Sequence, residues 1–108
     1  MSEAKHTPGP WVLETVRTSC GICHKVGPFP GRRENDEPRH ACLYADYPSK
    51  HNPADAELDA NARLIAAAPD LLDALYLVRD YIATMKGNGH EYSMSIDAAI
   101  AKATGGAA

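Results

Sequence analysis

Three cysteines and two histidines lie at spacings that suit a metal ion. Cys20 and Cys23 are two residues apart, so a tight turn can aim both thiols at one ion. His40 and Cys42 form an i, i+2 pair, and on a strand such a pair projects from one face. The pattern C-x2-C-x16-H-x-C therefore predicts one structural zinc ion bound by these four residues, with His24 as an alternative fourth ligand.

The same cysteines allow other interpretations. Residues 20–24 spell C-x-x-C-H, the attachment pattern of c-type haem, but that attachment occurs outside the cytosol and the segment MSEAKHTPGPW has no apolar export region. A thioredoxin-type site is not supported, because no βαβ unit surrounds the pair. An odd number of cysteines without a secretory signal favours free thiols or metal ligands over disulfides. Cysteines that are only small buried side chains remain an open alternative.

Other polar residues give no catalytic constellation. His90 and Glu91 are neighbours that would suit acid and base chemistry, but adjacent loop residues are more often solvated and no nucleophile accompanies them. The sequence has no G-x-S-x-G motif, phosphate-binding glycine loop or paired carboxylates. We therefore expect a protein that is not an enzyme.

The length, charge and hydropathy of the chain limit its size class and its possible binding partners. The chain has 108 residues, the length of one domain, and we expect a single domain over residues 1–108. Its formal net charge of −3 provides no broad positive field, so nucleic-acid binding is disfavoured. No segment approaches the roughly 20 apolar residues that cross a bilayer, so we expect a cytoplasmic protein.

The N-terminal half has the pattern of strands and loops. After a flexible segment over residues 1–10, residues 11–17 and 22–26 predict two strands joined by a hairpin turn at 18–21. Residues 27–39 predict a long polar loop, and residues 40–45 a third strand. In that strand one face should carry Ala41, Leu43 and Ala45, and the other His40, Cys42 and Tyr44.

The C-terminal half, over residues 52–104, has the pattern of helices. Asn52 as N-cap and Pro53 start a first helix with Leu58, Ala62, Ile65 and Leu64 as its apolar candidates. Pro69 separates it from a second helix, whose apolar positions are Leu71, Leu75, Val78, Ile82 and Met85, widened by Leu72 and Leu77. A third helix should run from about Ser95 to the glycines at 105–106, before a flexible tail at 105–108. The width of the second helix's apolar face leaves a homodimer open.

The fold class expected is therefore α+β, with a small antiparallel sheet of two or three strands packed against two or three C-terminal helices. Zinc would clip the hairpin to the third strand.

Two segments resemble small phage and prophage proteins of unknown function. They are HTPGPW at residues 6–11 and NARLIAAAPDLL at residues 61–72, and AAIAKATG at 98–105 is similar to the tail of that group. The resemblance implies a phage genome inside a bacterium, and it offers no catalytic or binding residues to carry over.

The phage context implied by the resemblance and the lack of catalytic motifs favour a non-enzymatic accessory protein. We expect it to bind a host protein, in counter-defence or host takeover. Arg63, Arg32 and Arg33 are the candidate partner-binding residues. One alternative is a nucleotide-signal sponge in which Arg63, Lys25 or the Arg32–Arg33 pair neutralises phosphate. Another is a weak nucleic-acid-binding zinc module.

Overall fold

A computed structural model describes residues 6–51, 53–85 and 90–106, without the side chains of residues 90 and 91. Three strands precede three helices: β1 (Val12–Arg17), β2 (Ile22–Phe29), β3 (Arg39–Ala45), α1 (Ala56–Ala66), α2 (Ala68–Ala83) and α3 (His90–Thr104). The expected α+β class, with the sheet in the N-terminal half, is confirmed. The chain forms two compact units: Gly9–Ala68 holds the sheet and α1, while Met1–Pro8 and Pro69–Ala108 form the other, with α2 and α3.

The sheet is antiparallel in the order β1-β2-β3, so β2 is hydrogen-bonded on both sides. The predicted turn at 18–21 joins β1 to β2. Thr18 organises it: its backbone N–H donates to the Gly21 carbonyl at 2.7 Å, and its hydroxyl oxygen accepts from the N–H groups of Cys20 and Gly21. A threonine side chain that bonds the local backbone in this way favours a turn over continued pairing.

Strand β2 is longer than the sequence pattern predicts. The prediction that a loop begins at residue 27 is wrong, because β2 continues to Phe29. The β2–β3 register is irregular between Val26 and Phe29, and Gly27 and Pro28 lie in that irregularity. A bulge tolerates a proline that cannot donate to the ladder, so these residues interrupt the pairing without ending the strand.

One face of the sheet forms the core of its unit. Helix α1 packs against all three strands. His24 and Val26 are the buried non-glycine residues of β2 and alternate with Cys23 and Lys25, so the His24 side is the face that α1 covers. Ala62 of α1 is fully buried, and a side chain that small lets a helix approach a sheet closely. The expected alternation of β3 is confirmed, with its alanines and leucine half-buried and the intervening residues exposed.

Helix α1 begins later than expected. Asp55 is its N-cap and accepts a hydrogen bond from the Leu58 N–H at 2.9 Å, so Pro53 lies outside the helix. Asn52 lies outside the described residues. The carboxylate satisfies one of the N–H groups that a helix start leaves unpaired, which is why the helix begins here. Leu64, expected on the buried side, is exposed.

Helices α2 and α3 also depart from the pattern. In α2, Leu72 is buried and Leu75 and Ile82 are half-buried, whereas Leu71, Leu77 and Val78 are exposed.

Helix α3 starts at His90 rather than near Ser95, so His90 and Glu91 are not loop residues. Its predicted end is confirmed: Gly105 has φ +69°, and the Gly106 N–H donates to the Ala101 carbonyl at 3.1 Å, the closing bond of a Schellman motif. The glycines at 87 and 89 lie outside the described residues.

Candidate functional site

Two of the predicted zinc ligands are bonded to each other. Cys23 and Cys42 form a disulfide between β2 and β3, with their Cα atoms 6.1 Å apart. Cys23 pairs with Tyr44 and Lys25 with Cys42, so the two cysteines are diagonal neighbours on one face, within the range that a disulfide spans. The expectation that the cysteines would not form a disulfide is therefore wrong for this pair, and Cys20 is free and exposed.

The other predicted ligands lie elsewhere. His40 lies opposite the β2 irregularity, where its Cδ2 atom would be 2.9 Å from a Cβ atom added to Gly27. Gly27 and Cys23 are four residues apart along β2, roughly 13 Å at about 3.3 Å per residue. His40 is thus the least suited of the four to join an ion held by Cys23. Within residues 6–51, 53–85 and 90–106, no three His, Cys, Asp or Glu side chains are placed to share a metal ion.

His24 projects from the opposite face of β2. It is buried on the α1 side, and its Nδ1 atom lies 3.0 Å from the Thr15 hydroxyl oxygen. Thr15 and His24 are direct cross-strand partners, so the register of the hairpin creates this hydrogen bond. Its neighbour Cys23 points the other way. Zinc binding stays a prediction, and it applies to the reduced protein, in which the Cys23 and Cys42 thiols are available.

The basic residues predicted to bind a partner do not converge. Arg63 donates to Asp59 at 3.0 Å on the exposed side of α1, one turn away. Lys25 lies 3.7 Å from Glu14 on the neighbouring strand. Arg32 and Arg33 lie in the exposed loop between β2 and β3. The first two already have carboxylate partners, and none of these contacts unites the four in a phosphate pocket.

Tyr47 and Tyr44 lie against the β1–β2 turn, a feature that sequence reasoning missed. The Tyr47 hydroxyl donates to the Thr18 carbonyl, and the Arg17 guanidinium lies 5.6 Å from the Tyr47 ring centre. A Cβ atom at Gly21 would lie 2.6 Å from the Tyr44 hydroxyl oxygen, so this position accepts only glycine without a shift. The turn is thus tied to β3 and to the segment that follows it. Tyr47 lies 29 residues from Thr18, and no local pattern shows such a pairing.

Helix α2 exposes a group of apolar side chains on one side. We call it the α2 face and define it by five exposed residues: Leu71, Ala74, Leu77, Val78 and Tyr81. At 100° per residue they lie on one side of the helix, whereas Leu72, which is buried, lies on the other. Leu77 and Tyr81 expose 71% and 69% of their surface, and Leu71 and Val78 48% and 45%. Met85, just beyond the helix end, is also exposed.

Acidic residues border one side of this face. Asp70, Asp73 and Asp80 are exposed. Helical geometry places Asp73 and Asp80 beyond Leu77, and Asp70 between the directions of Leu77 and Tyr81 at the N-terminal end of the helix. Arg79 lies on the far side of α2, stacks 4.9 Å from the Tyr76 ring centre and reaches Asp80 at 3.5 Å. Asp70 and Asp73 have no ion pair among the contacts of the described residues. The α2 face is therefore apolar with a negative border.

Comparison with known proteins assigns a family. The family model described as Salmonella phage P22 protein Y8K6 matches residues 1–107. The chain belongs to this phage protein family. No protein of curated function and no solved structure matches it.

Membership of the Y8K6 family confirms the resemblance to small phage proteins, whereas the significance of the individual motifs stays a prediction. The family description names a phage protein without an activity. Within the described part of this family member, none of the helices has the length and apolar character to cross a membrane.

Proposed function

We propose that this phage protein is a non-enzymatic accessory protein that binds a protein of the bacterial host, in counter-defence or host takeover. The observation that carries the proposal is the exposed α2 face. Large apolar side chains that remain in water are unfavourable, and a contiguous apolar patch with a polar border is typical of a protein-binding surface. The phage family supplies the context, because the partners available to such a protein include those of the infected cell.

The absence of a catalytic arrangement in the described residues supports a binding role. The nearest approach to one is His24 with Thr15, an imidazole beside a hydroxyl group. Helix α1 covers the face of the sheet on which His24 is buried, and no described contact orients the imidazole from its other side. A nucleophile and base need a third group and a base that substrate can reach, so we assign this hydrogen bond a structural role.

A photocrosslinking amino acid at position 77 tests the proposal in host cells. Leu77 is the most exposed large side chain of the α2 face, and Leu64 on α1 is the matched control because it is also an exposed leucine on a helix. Irradiation should join one host protein to the position 77 variant and not to the position 64 variant. Mass spectrometry would then identify that protein.

The purified host protein must next bind the intact chain. We expect Leu77→Asp to weaken this binding at least tenfold and Leu64→Asp to leave it unchanged, with circular dichroism verifying that both variants fold. Equal crosslinking at both positions, or a purified candidate that binds the Leu77→Asp variant as tightly as the natural chain, would overturn the proposal.

A further inference from the structure

The α2 face has the spacing of a helix-packing seam. Leu71, Ala74, Val78 and Tyr81 follow one another at intervals of three, four and three residues. This is the a/d spacing with which one helix packs along another, and Ala74 provides a small position where the backbones approach. A partner that uses the seam fully is a helix with apolar residues at i, i+3, i+4 and i+7.

The size of the face distinguishes a short helix from a second copy of the chain. A fully exposed large apolar side chain offers on the order of 150–200 Å², so the exposed fractions of Leu71, Leu77, Val78 and Tyr81 amount to roughly 400 Å². A stable interface between two globular proteins buries about 800 Å² on each partner. The face therefore suits one helical segment of a few turns better than a symmetric dimer.

The charges decide the chemistry of that segment. Asp70 and Asp73 line one border of the seam, and Arg79, the basic residue of α2, lies on the opposite side. Two copies packed through this face would bring only acidic borders to it. A helix with lysine or arginine beside its apolar stripe would instead be attracted to the aspartates. A helix with aspartate or glutamate at those positions would be repelled by them.

We propose that the α2 face binds a basic amphipathic helix of about three turns, presented by the partner protein. This inference rests on the proposed function and specifies the partner's chemistry. Affinity comes from apolar burial along the seam, and the aspartate border selects for positive charge.

Two synthetic helices test the proposal with the intact chain. Both carry the same apolar stripe and differ only at the flanking positions, which are lysine in one and glutamate in the other. By fluorescence anisotropy at low ionic strength, the basic peptide should bind at least tenfold more tightly than the acidic one. The ratio should fall as salt is added, because the aspartates are exposed and screened.

Variants separate the two contributions. Asp70→Asn with Asp73→Asn should reduce the preference for the basic peptide at least threefold while both peptides still bind. Val78→Asp should weaken both at least tenfold, and Leu64→Asp, in the other compact unit, should weaken neither. Thermal melting of each variant shows whether it is folded, and Val78→Ala serves as the second test of the seam if Val78→Asp does not fold.

Equal binding of the two peptides, preference for the acidic one, or binding of neither would overturn the basic-helix proposal. If the host protein identified by crosslinking at position 77 still binds, the broader proposed function survives that result. Self-association that Val78→Asp abolishes would identify a second copy as the occupant and also overturn the inference.

Discussion

At the scale of single residues, the most informative side chain is His24. It is polar, buried and on the face of β2 that α1 covers, and its hydrogen bond joins it to Thr15 across the hairpin. Leaving a buried donor or acceptor unpaired has a large free-energy cost, whereas a satisfied one contributes modestly. Thr15 therefore matters to stability through its hydroxyl group although much of the residue is exposed.

Replacing Thr15 by valine removes that hydroxyl group and preserves the shape of the side chain. We expect Thr15→Val to lower the free energy of unfolding by about 1 kcal/mol, because His24 Nδ1 loses its partner. Urea denaturation measures the change. Thr15→Ser keeps the hydroxyl group and should lose less stability than Thr15→Val; a valine variant as stable as the natural chain would contradict the contribution of the hydrogen bond.

The cysteines make the zinc prediction conditional on redox state. Zinc binds thiolates, and a disulfide sulfur is not a thiolate, so the Cys23–Cys42 bond removes two of the predicted ligands. Cys20 and Cys23 are near neighbours along the chain, whereas His40 lies beyond Cys42 at the other end of the sheet. His40 is thus the predicted ligand that lies farthest along the sheet from Cys23.

We expect no zinc at these residues in the oxidised protein and about one ion per chain after reduction and reconstitution. Metal content by mass spectrometry, with thiols counted on the same samples, tests this. The double variant Cys20→Ser, Cys42→Ser is the control and should bind none. Reduced, folded protein that takes up no zinc would remove the metal proposal.

At the scale of elements, the disulfide joins the central strand to an edge strand. It closes a loop with a sequence separation of 19, which includes the exposed loop that carries Arg32 and Arg33. Closing a loop restricts the unfolded chain more than the folded one, so such a bond stabilises the native state. Strand β1 has no such link, and the turn of its hairpin is held by hydrogen bonds of Thr18 and Tyr47.

Breaking this link should destabilise the protein measurably. For oxidised protein, Cys42→Ser should lower the free energy of unfolding by roughly 3 kcal/mol, the value expected for a loop of this length. Denaturation of both proteins with and without reductant measures it. Cys20→Ser removes a free thiol and should have the stability of the natural chain; equal losses for the two variants would contradict the assignment of the bond.

At the scale of the whole molecule, the surface combines a mild negative charge with one apolar helix face. The formal net charge of −3 and the separate positions of the basic residues offer no positive surface for a phosphate backbone. Strong, salt-dependent binding to DNA or RNA is therefore not expected. The α2 face, at roughly 400 Å², is of the size at which an apolar patch becomes functional.

We expect the protein to be monomeric at micromolar concentrations, because this face alone is about half of what a stable dimer buries on each partner. Sedimentation velocity over a range of concentrations tests the expectation, with Leu77→Asp as the comparison. A dimer that persists at low micromolar concentration and dissociates in that variant would support the homodimer left open by the sequence and would contradict the monomer.

The sequence by itself determined the features that depend on local physics. Alternation in residues 40–45 gave the two faces of β3, Pro69 marked the junction of α1 and α2, and Gly105 marked the end of α3, because each depends on backbone preferences of nearby residues. Tertiary structure decided what depends on register and packing. It paired Cys23 with Cys42 and set His40 about four residues along the sheet from Cys23, since strand pairing sets these distances. It also left Leu77 and Val78 of α2 in solvent, because an amphipathic pattern shows that a helix has apolar faces and not which one its own fold will cover.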